Sequence, residues 1–200
     1  VDSISYPEMA DDLKRFMESH WMHHAAVLGH SMGGKTAMQL ALQHPDMVEK
    51  LVVVDIAPVR YPGGHQAIFE ALLALEVEKA DDRAEIEAQL EQRISDWSIR
   101  QFLMKNLRKR REGGYRWKMN LPVIYRDYER ILTGLECDHP YEGPALFIRG
   151  GRSDYVLPEH EPRIRELFPA AEIRTVPDAG HWVHAEAPDT LLEMVKEFLD

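Results

Sequence analysis

The chain has 200 residues, 44% hydrophobic and 29% charged, which suits one folded domain or a compact domain carrying an insert. Its formal net charge of −10 argues against nucleic acid as a partner, because phosphate backbones attract basic surfaces. A lone cysteine, Cys137, excludes an internal disulfide, no apolar run approaches the roughly 20 residues that span a bilayer, and no signal-peptide pattern opens the chain, so a cytoplasmic location is expected.

In chain order, Met9, Leu13, Phe16 and Met17 recur on one helical face over residues 6–17. Ser5 stands as N-cap, Pro7 lies in the first turn, and Glu8, Asp11 and Asp12 sit at the positive end of the dipole. Residues 25–28 form an apolar run without polar alternation, the pattern of a strand buried on both faces. A helix is predicted over residues 33–44, with Ala37, Leu40 and Ala41 on one side and Pro45 as its stop. The β-branched run 51–54 reads as a second buried strand.

The texture then changes. Residues 58–140 show no buried strand, only amphipathic helical stretches at 65–78 and 83–94 and weaker ones around Leu103 and Ile131. Strand and helix alternate again afterwards: strand 145–148, helix 159–168, strand 172–176, helix 189–198. Alternation of this kind implies an α/β fold with a parallel sheet, here of about four strands, flanked by helices. The expected organisation is a core of residues 1–57 and 141–200 with an inserted helical lid, 58–140.

The sharpest local signal is Gly29-His30-Ser31-Met32-Gly33, a serine with glycine two residues to either side, directly after a predicted strand and at the start of a predicted helix. A tight strand-to-helix turn strains the serine backbone and crowds its flanks, and glycines remove the side chains that would clash. Ser31 is therefore the candidate nucleophile. The helix N-terminus and the backbone N–H of Met32 are candidates to stabilise an oxyanion. His181, on the loop after the last strand, is the candidate base, because a parallel sheet presents functional groups at its carboxyl edge. Two acids follow strands and keep the chain order serine, acid, histidine: Asp55 and Asp154. Residue spacing does not choose between them. His20, His23 and His24, and the pair His181 and His184, have ligand-like spacing but lack cysteine or carboxylate partners at helpful spacing, so neither metal nor cofactor is expected. The run Arg108-Lys109-Arg110-Arg111 reads as a solvated face or a recognition site for an anionic substrate. The aromatics Trp97, Tyr115, Trp117 and Tyr125 read as helix packing or the lining of an acyl pocket.

Three segments together, residues 29–35, Val-Asp-Ile-Ala-Pro-Val at 54–59 and Ala-Gly-His-Trp-Val-His-Ala-Glu at 179–186, resemble the YbfF-type esterases, a branch of the α/β-hydrolase superfamily. The similarity runs over nearly the whole chain. It implies hydrolysis of a small-molecule acyl ester through an acyl-enzyme on Ser31, without a cofactor, and a mitochondrial-matrix location if the source is eukaryotic. The branch pattern assigns the acid to Asp55, whereas the wider superfamily assigns it to the position of Asp154. Complete members begin with further strands and a His-Gly loop that supplies a second oxyanion donor, so N-terminal strands are expected to precede the present chain. Thioester, amide or carbon–carbon bond hydrolysis on the same residues, or an inert hydrolase-like binding protein, are the alternatives.

Overall fold

The computed structural model describes residues 3–200. In chain order the elements are α1 (Tyr6–Ser19), β1 (Ala25–His30), α2 (Met32–Gln43), β2 (Val48–Val54), α3 (Gln66–Leu73), α4 (Arg83–Glu91), α5 (Trp97–Met104), β3 (Leu107–Lys109) and β4 (Tyr115–Trp117). There follow α6 (Leu121–Arg126), α7 (Tyr128–Leu132), β5 (Ala145–Gly150), α8 (Glu161–Leu167), β6 (Ala171–Val176), α9 (Val183–Glu186) and α10 (Pro188–Leu199). They divide into two compact units. One holds Ser5–Tyr61 and Thr133–Asp200; the other holds Pro62–Leu132 with the short stretch ending at Ile4.

In the first unit the strands pair in the order β1-β2-β5-β6, all parallel. The register sets Val54 opposite both His30 and Ile148, so the carboxyl ends of three strands lie level. Leu51–Val54 of β2 and Ala145–Ile148 of β5 are buried on both faces, as continuous apolar runs predict. One face packs Leu51, Val53 and Phe147 against Met38, Leu40 and Phe168; the other packs Val52, Leu146 and Ile148 against Val176 and Val183. The strand expected at 25–28 differs. β1 borders the sheet among the described residues, and Leu28 is 52% exposed, so only one of its faces is covered. An unbroken apolar run does not by itself reveal how many faces are covered.

α1 starts as its sequence dictates: Ser5 has an extended backbone, and its Oγ accepts from Glu8 N–H at 3.4 Å. Its buried line is Tyr6, Ala10 and Met17, with Met9 and Leu13 half-buried, whereas Phe16 points outward.

The second unit has a core of its own, with Leu72, Ile86, Leu90, Leu103 and Leu107 among its buried residues. Asp82 and Asp96 cap α4 and α5 by accepting from Glu85 N–H and Ile99 N–H. Contrary to the expectation of helices alone, β3 and β4 form an antiparallel hairpin. Each strand has three residues, too short for alternation to register, and the turn depends on Gly113 and Gly114 at φ of 99° and 66°. This unit is narrower than the expected insert 58–140, because both of its flanks belong to the first unit. There Leu135 N–H donates to Pro58 O at 3.0 Å, tying the outgoing chain to the returning one.

Candidate active site

Ser31 links β1 to α2 at φ 54° and ψ −124°, a left-handed backbone that costs a non-glycine residue energy and persists only where surroundings enforce it. The enforcement is visible. Ser31 N–H donates to Val54 O at 3.0 Å, and Ser31 O accepts from Gly34 and Lys35 N–H at 2.8 and 3.1 Å. A Cβ on Gly29 would lie 2.2 Å from Gly33 O, and one on Gly34 would lie 2.6 Å from Ile56 Cγ2. A Cβ on Gly33 would meet nothing within 4 Å. The steric need therefore falls on Gly29 and Gly34, not on Gly33 as the motif's spacing suggests: the crowding is Gly29 against the backbone of 33–34.

Asp55, next to β2, has φ 51° and a side chain sealed from solvent. Its Oδ1 accepts from Gly150 N–H at 2.8 Å, and its Oδ2 accepts from the Ser153 hydroxyl and from His181 Nδ1–H, the latter at 2.8 Å. With a carboxylate on Nδ1, the tautomer follows: Nε2 carries the lone pair and accepts from Ser31 Oγ–H at 3.0 Å. Serine, imidazole and carboxylate thus form one chain of hydrogen bonds. Asp154 lies outside it. Its side chain is exposed, and among the described residues no hydrogen bond joins it to His181. In that loop the neighbouring Ser153 reaches the buried carboxylate instead. Met32 N–H, at the start of α2, makes no hydrogen bond among the described residues, as expected of a donor in a helix's first turn.

Other groups hold the imidazole loop. Gly180 N–H and Arg152 both donate to Glu186 Oε2, at 3.0 and 2.9 Å. His30 Nε2–H donates to His181 O at 2.8 Å, and burial lowers the pKa of His30, favouring its neutral form. The Tyr155 ring stacks on His181 with centroids 4.0 Å apart. Tyr61 accepts from Ala57 N–H at 2.8 Å and donates to Tyr155 O at 2.5 Å, bracing the segments that carry Asp55 and Tyr155. Sequence reasoning gave no site role to His30, Tyr61, Ser153, Tyr155 or Glu186, although His30 and Glu186 fall inside quoted motifs.

Lys35, one turn into α2, is almost fully buried, and no carboxylate partners it among the described residues. Its Nζ donates to Val59 O at 2.7 Å and Thr133 O at 2.6 Å, the two points where the chain leaves and re-enters this unit. The Tyr61 ring at 4.8 Å favours the cation, but burial outweighs it and, with Arg60, pulls the pKa to about 7. His20, His23 and His24 are exposed, and the described residues hold no cluster of three metal-ligating side chains.

A parallel sheet with a serine on a strained strand-to-helix turn, an imidazole from the last loop and a buried carboxylate defines a class, and the chain belongs to it: the alpha/beta hydrolase fold family matches residues 2–188. Within that family it is 43% identical to the sn-1-specific diacylglycerol lipase of Mus musculus over 98% of this chain and 65% of that one. It is 37% identical to the esterase YbfF of Escherichia coli over 98% of this chain and 76% of that protein. A solved marine microorganism esterase superposes with a TM-score of 0.96 at 41% identity, covering 99% of this chain and 78% of the other. The fold class and the resemblance to the YbfF-type esterases are borne out. The chain spans just under two thirds of the mouse relative's length.

Proposed function

We propose that this chain is the nucleophile-bearing part of a serine esterase, with Ser31, His181 and Asp55 as its triad. The hydrogen-bonded series at 3.0 and 2.8 Å carries this reading. His181 Nε2 takes the Ser31 proton as Oγ attacks the acyl carbonyl, and Met32 N–H donates to the resulting oxyanion. The imidazolium returns that proton to the leaving alcohol, and Asp55 stabilises the charged ring without itself becoming protonated. Water, deprotonated by the same imidazole, then attacks the acyl-enzyme, and Ser31 recovers its proton as the carboxylic acid leaves. No step calls on a metal or cofactor. The similarity to the mouse lipase and the bacterial esterase supports an acyl ester as substrate, and the lone cysteine supports an intracellular site of action. The insert serves as a lid that selects acyl groups and contributes none of the reacting atoms.

A fluorophosphonate probe tests the reading. It should label the wild type, and Ser31→Ala should abolish labelling while circular dichroism stays unchanged. Equal labelling of both proteins overturns the nucleophile assignment.

A further inference from the structure

The insert carries a charge pattern for which the proposed reaction has no use. The chain as a whole is at −10, yet residues 105–118 hold seven lysines and arginines against a single acid, Glu112. The hairpin sorts them by face. Leu107 and Tyr115 turn into the insert's core, while Arg108 and Arg116, directly opposite each other across the strands, stand exposed. Like charges directly opposite in an antiparallel pair destabilise it. Neither arginine makes a hydrogen bond or close ion pair among the described residues; Glu112 draws on Arg116 only through a weaker, longer-range attraction. Of these seven cations, Arg110 alone has a close counter-ion among the described residues, Glu112 at 2.6 Å. Lys118 lays its Nζ on Lys105 O at 2.6 Å, tying the hairpin to the end of α5. On that helix Phe102, one turn before Lys105, is 46% exposed, and Trp97 at its start is 64% exposed.

We propose that the β3–β4 hairpin is a docking surface for an anionic lipid bilayer. A small anion would need donors converging on a concave site, whereas Arg108 and Arg116 stand exposed on one face of a two-stranded hairpin, with Lys109 and Arg111 exposed towards its turn. An acidic polypeptide would match the charge but give the exposed rings of α5 no apolar neighbour. A bilayer surface takes both: phosphate headgroups accept from Arg108, Lys109, Arg111 and Arg116, and the rings lodge at the headgroup–acyl boundary, where aromatic side chains are favoured.

Sedimentation of the chain with vesicles decides the matter. It should bind vesicles of phosphatidylcholine mixed with phosphatidylglycerol, ignore those of phosphatidylcholine alone, and release as salt rises. The double variant Arg108→Ala/Arg116→Ala should lower partitioning about 30-fold, roughly fivefold for each cation near an anionic surface. Its turnover of a water-soluble short-chain ester should equal the wild type's. Lys109→Ala/Arg111→Ala provides a second pair in case the first disturbs the strands. Ser31→Ala should bind as the wild type does, so failure of the esterase reading and failure of docking are told apart. Equal binding to both vesicle types, or full binding by both double variants, overturns the proposal. Retention of soluble poly-glutamate by the chain, with no partitioning onto either vesicle type, overturns it in favour of an acidic protein partner.

Discussion

The imidazole of His181 has one nitrogen for each partner, and the carboxylate that occupies Nδ1 decides whether Nε2 faces Ser31 as a base or as a donor. Asp55 is placed for that role at 2.8 Å, with Gly150 N–H and the Ser153 hydroxyl holding its two oxygens. An amide at position 55 would offer its NH₂ group as a donor and favour the wrong tautomer. Asp55→Asn should therefore lower ester turnover by ~10⁴, the scale of that substitution in a serine protease triad. Asp154→Asn should leave turnover within about threefold of wild type, since an exposed carboxylate outside the hydrogen-bonded chain has little to lose. A reversed order in kcat would transfer the acid's role to Asp154. Lys35 allows a second prediction. Its pKa, about 7, lies below the ordinary value of 10.5, so the folded state disfavours the charged form. Between about pH 7 and pH 10 the unfolded chain then binds more protons than the folded one, and stability from this group rises with pH; below about pH 7 the burial penalty is present in full. Urea midpoints of wild type and Lys35→Met should show a gap that moves in favour of the wild type across that window. A gap independent of pH would mean that Lys35 keeps its usual affinity for protons.

At the scale of elements, the turn from β1 to α2 makes a prediction that the motif alone would get wrong. Gly29→Ala and Gly34→Ala should each destabilise the fold by about 1–3 kcal/mol or more, because their added Cβ atoms would overlap neighbouring atoms, and should also cut Ser31 labelling as the turn shifts. Gly33→Ala should be near neutral in both measurements, its Cβ lying in open space on α2. Thermal melts of the three variants separate these cases, and a disruptive Gly33→Ala would refute the geometry. Of the hydrogen-bonded series, Ser31 and His181 were each announced locally in the sequence, by glycines around one and by a loop after the final strand for the other. Asp55 was not, because its selection depends on the register of β2 against β5, which brings Gly150 N–H and Ser153 to its oxygens across about a hundred residues of chain. The family resemblance favoured Asp55 where spacing did not. The hairpin escaped for the opposite reason: three-residue strands are shorter than the pattern used to detect strands, and the run Arg108–Arg111 read as a solvated face or an anion site rather than as a strand and its turn.

At the scale of the molecule, the interrupted sequence of the first unit matters more than its interruption suggests. Its two apolar clusters draw only on residues 5–61 and 133–200, and the insert's cluster draws only on residues 62–132. The two crossing points are pinned together within the first unit: Leu135 N–H reaches Pro58 O, Lys35 bridges Val59 O and Thr133 O, and a Cβ on Gly134 would come within 3.2 Å of Arg60 N. A few flexible residues can therefore join Tyr61 to Thr133 without bending either flank, a span well within ordinary loop lengths. The loss of a long excursion should even lower the entropy cost of bringing those ends together. We expect a chain in which a short glycine-serine linker replaces Pro62–Leu132 to fold, and its Ser31 to accept the fluorophosphonate probe, since Ser31, Asp55, His181 and their hydrogen-bond partners all remain. Its preference among esters of different acyl length should flatten relative to the intact chain, because the proposed lid is gone. Cooperative unfolding together with probe labelling would establish that the chemistry resides in the first unit. A shortened chain that aggregates, or folds without labelling, would show that the insert supports the turn at Ser31 rather than selecting what reaches it.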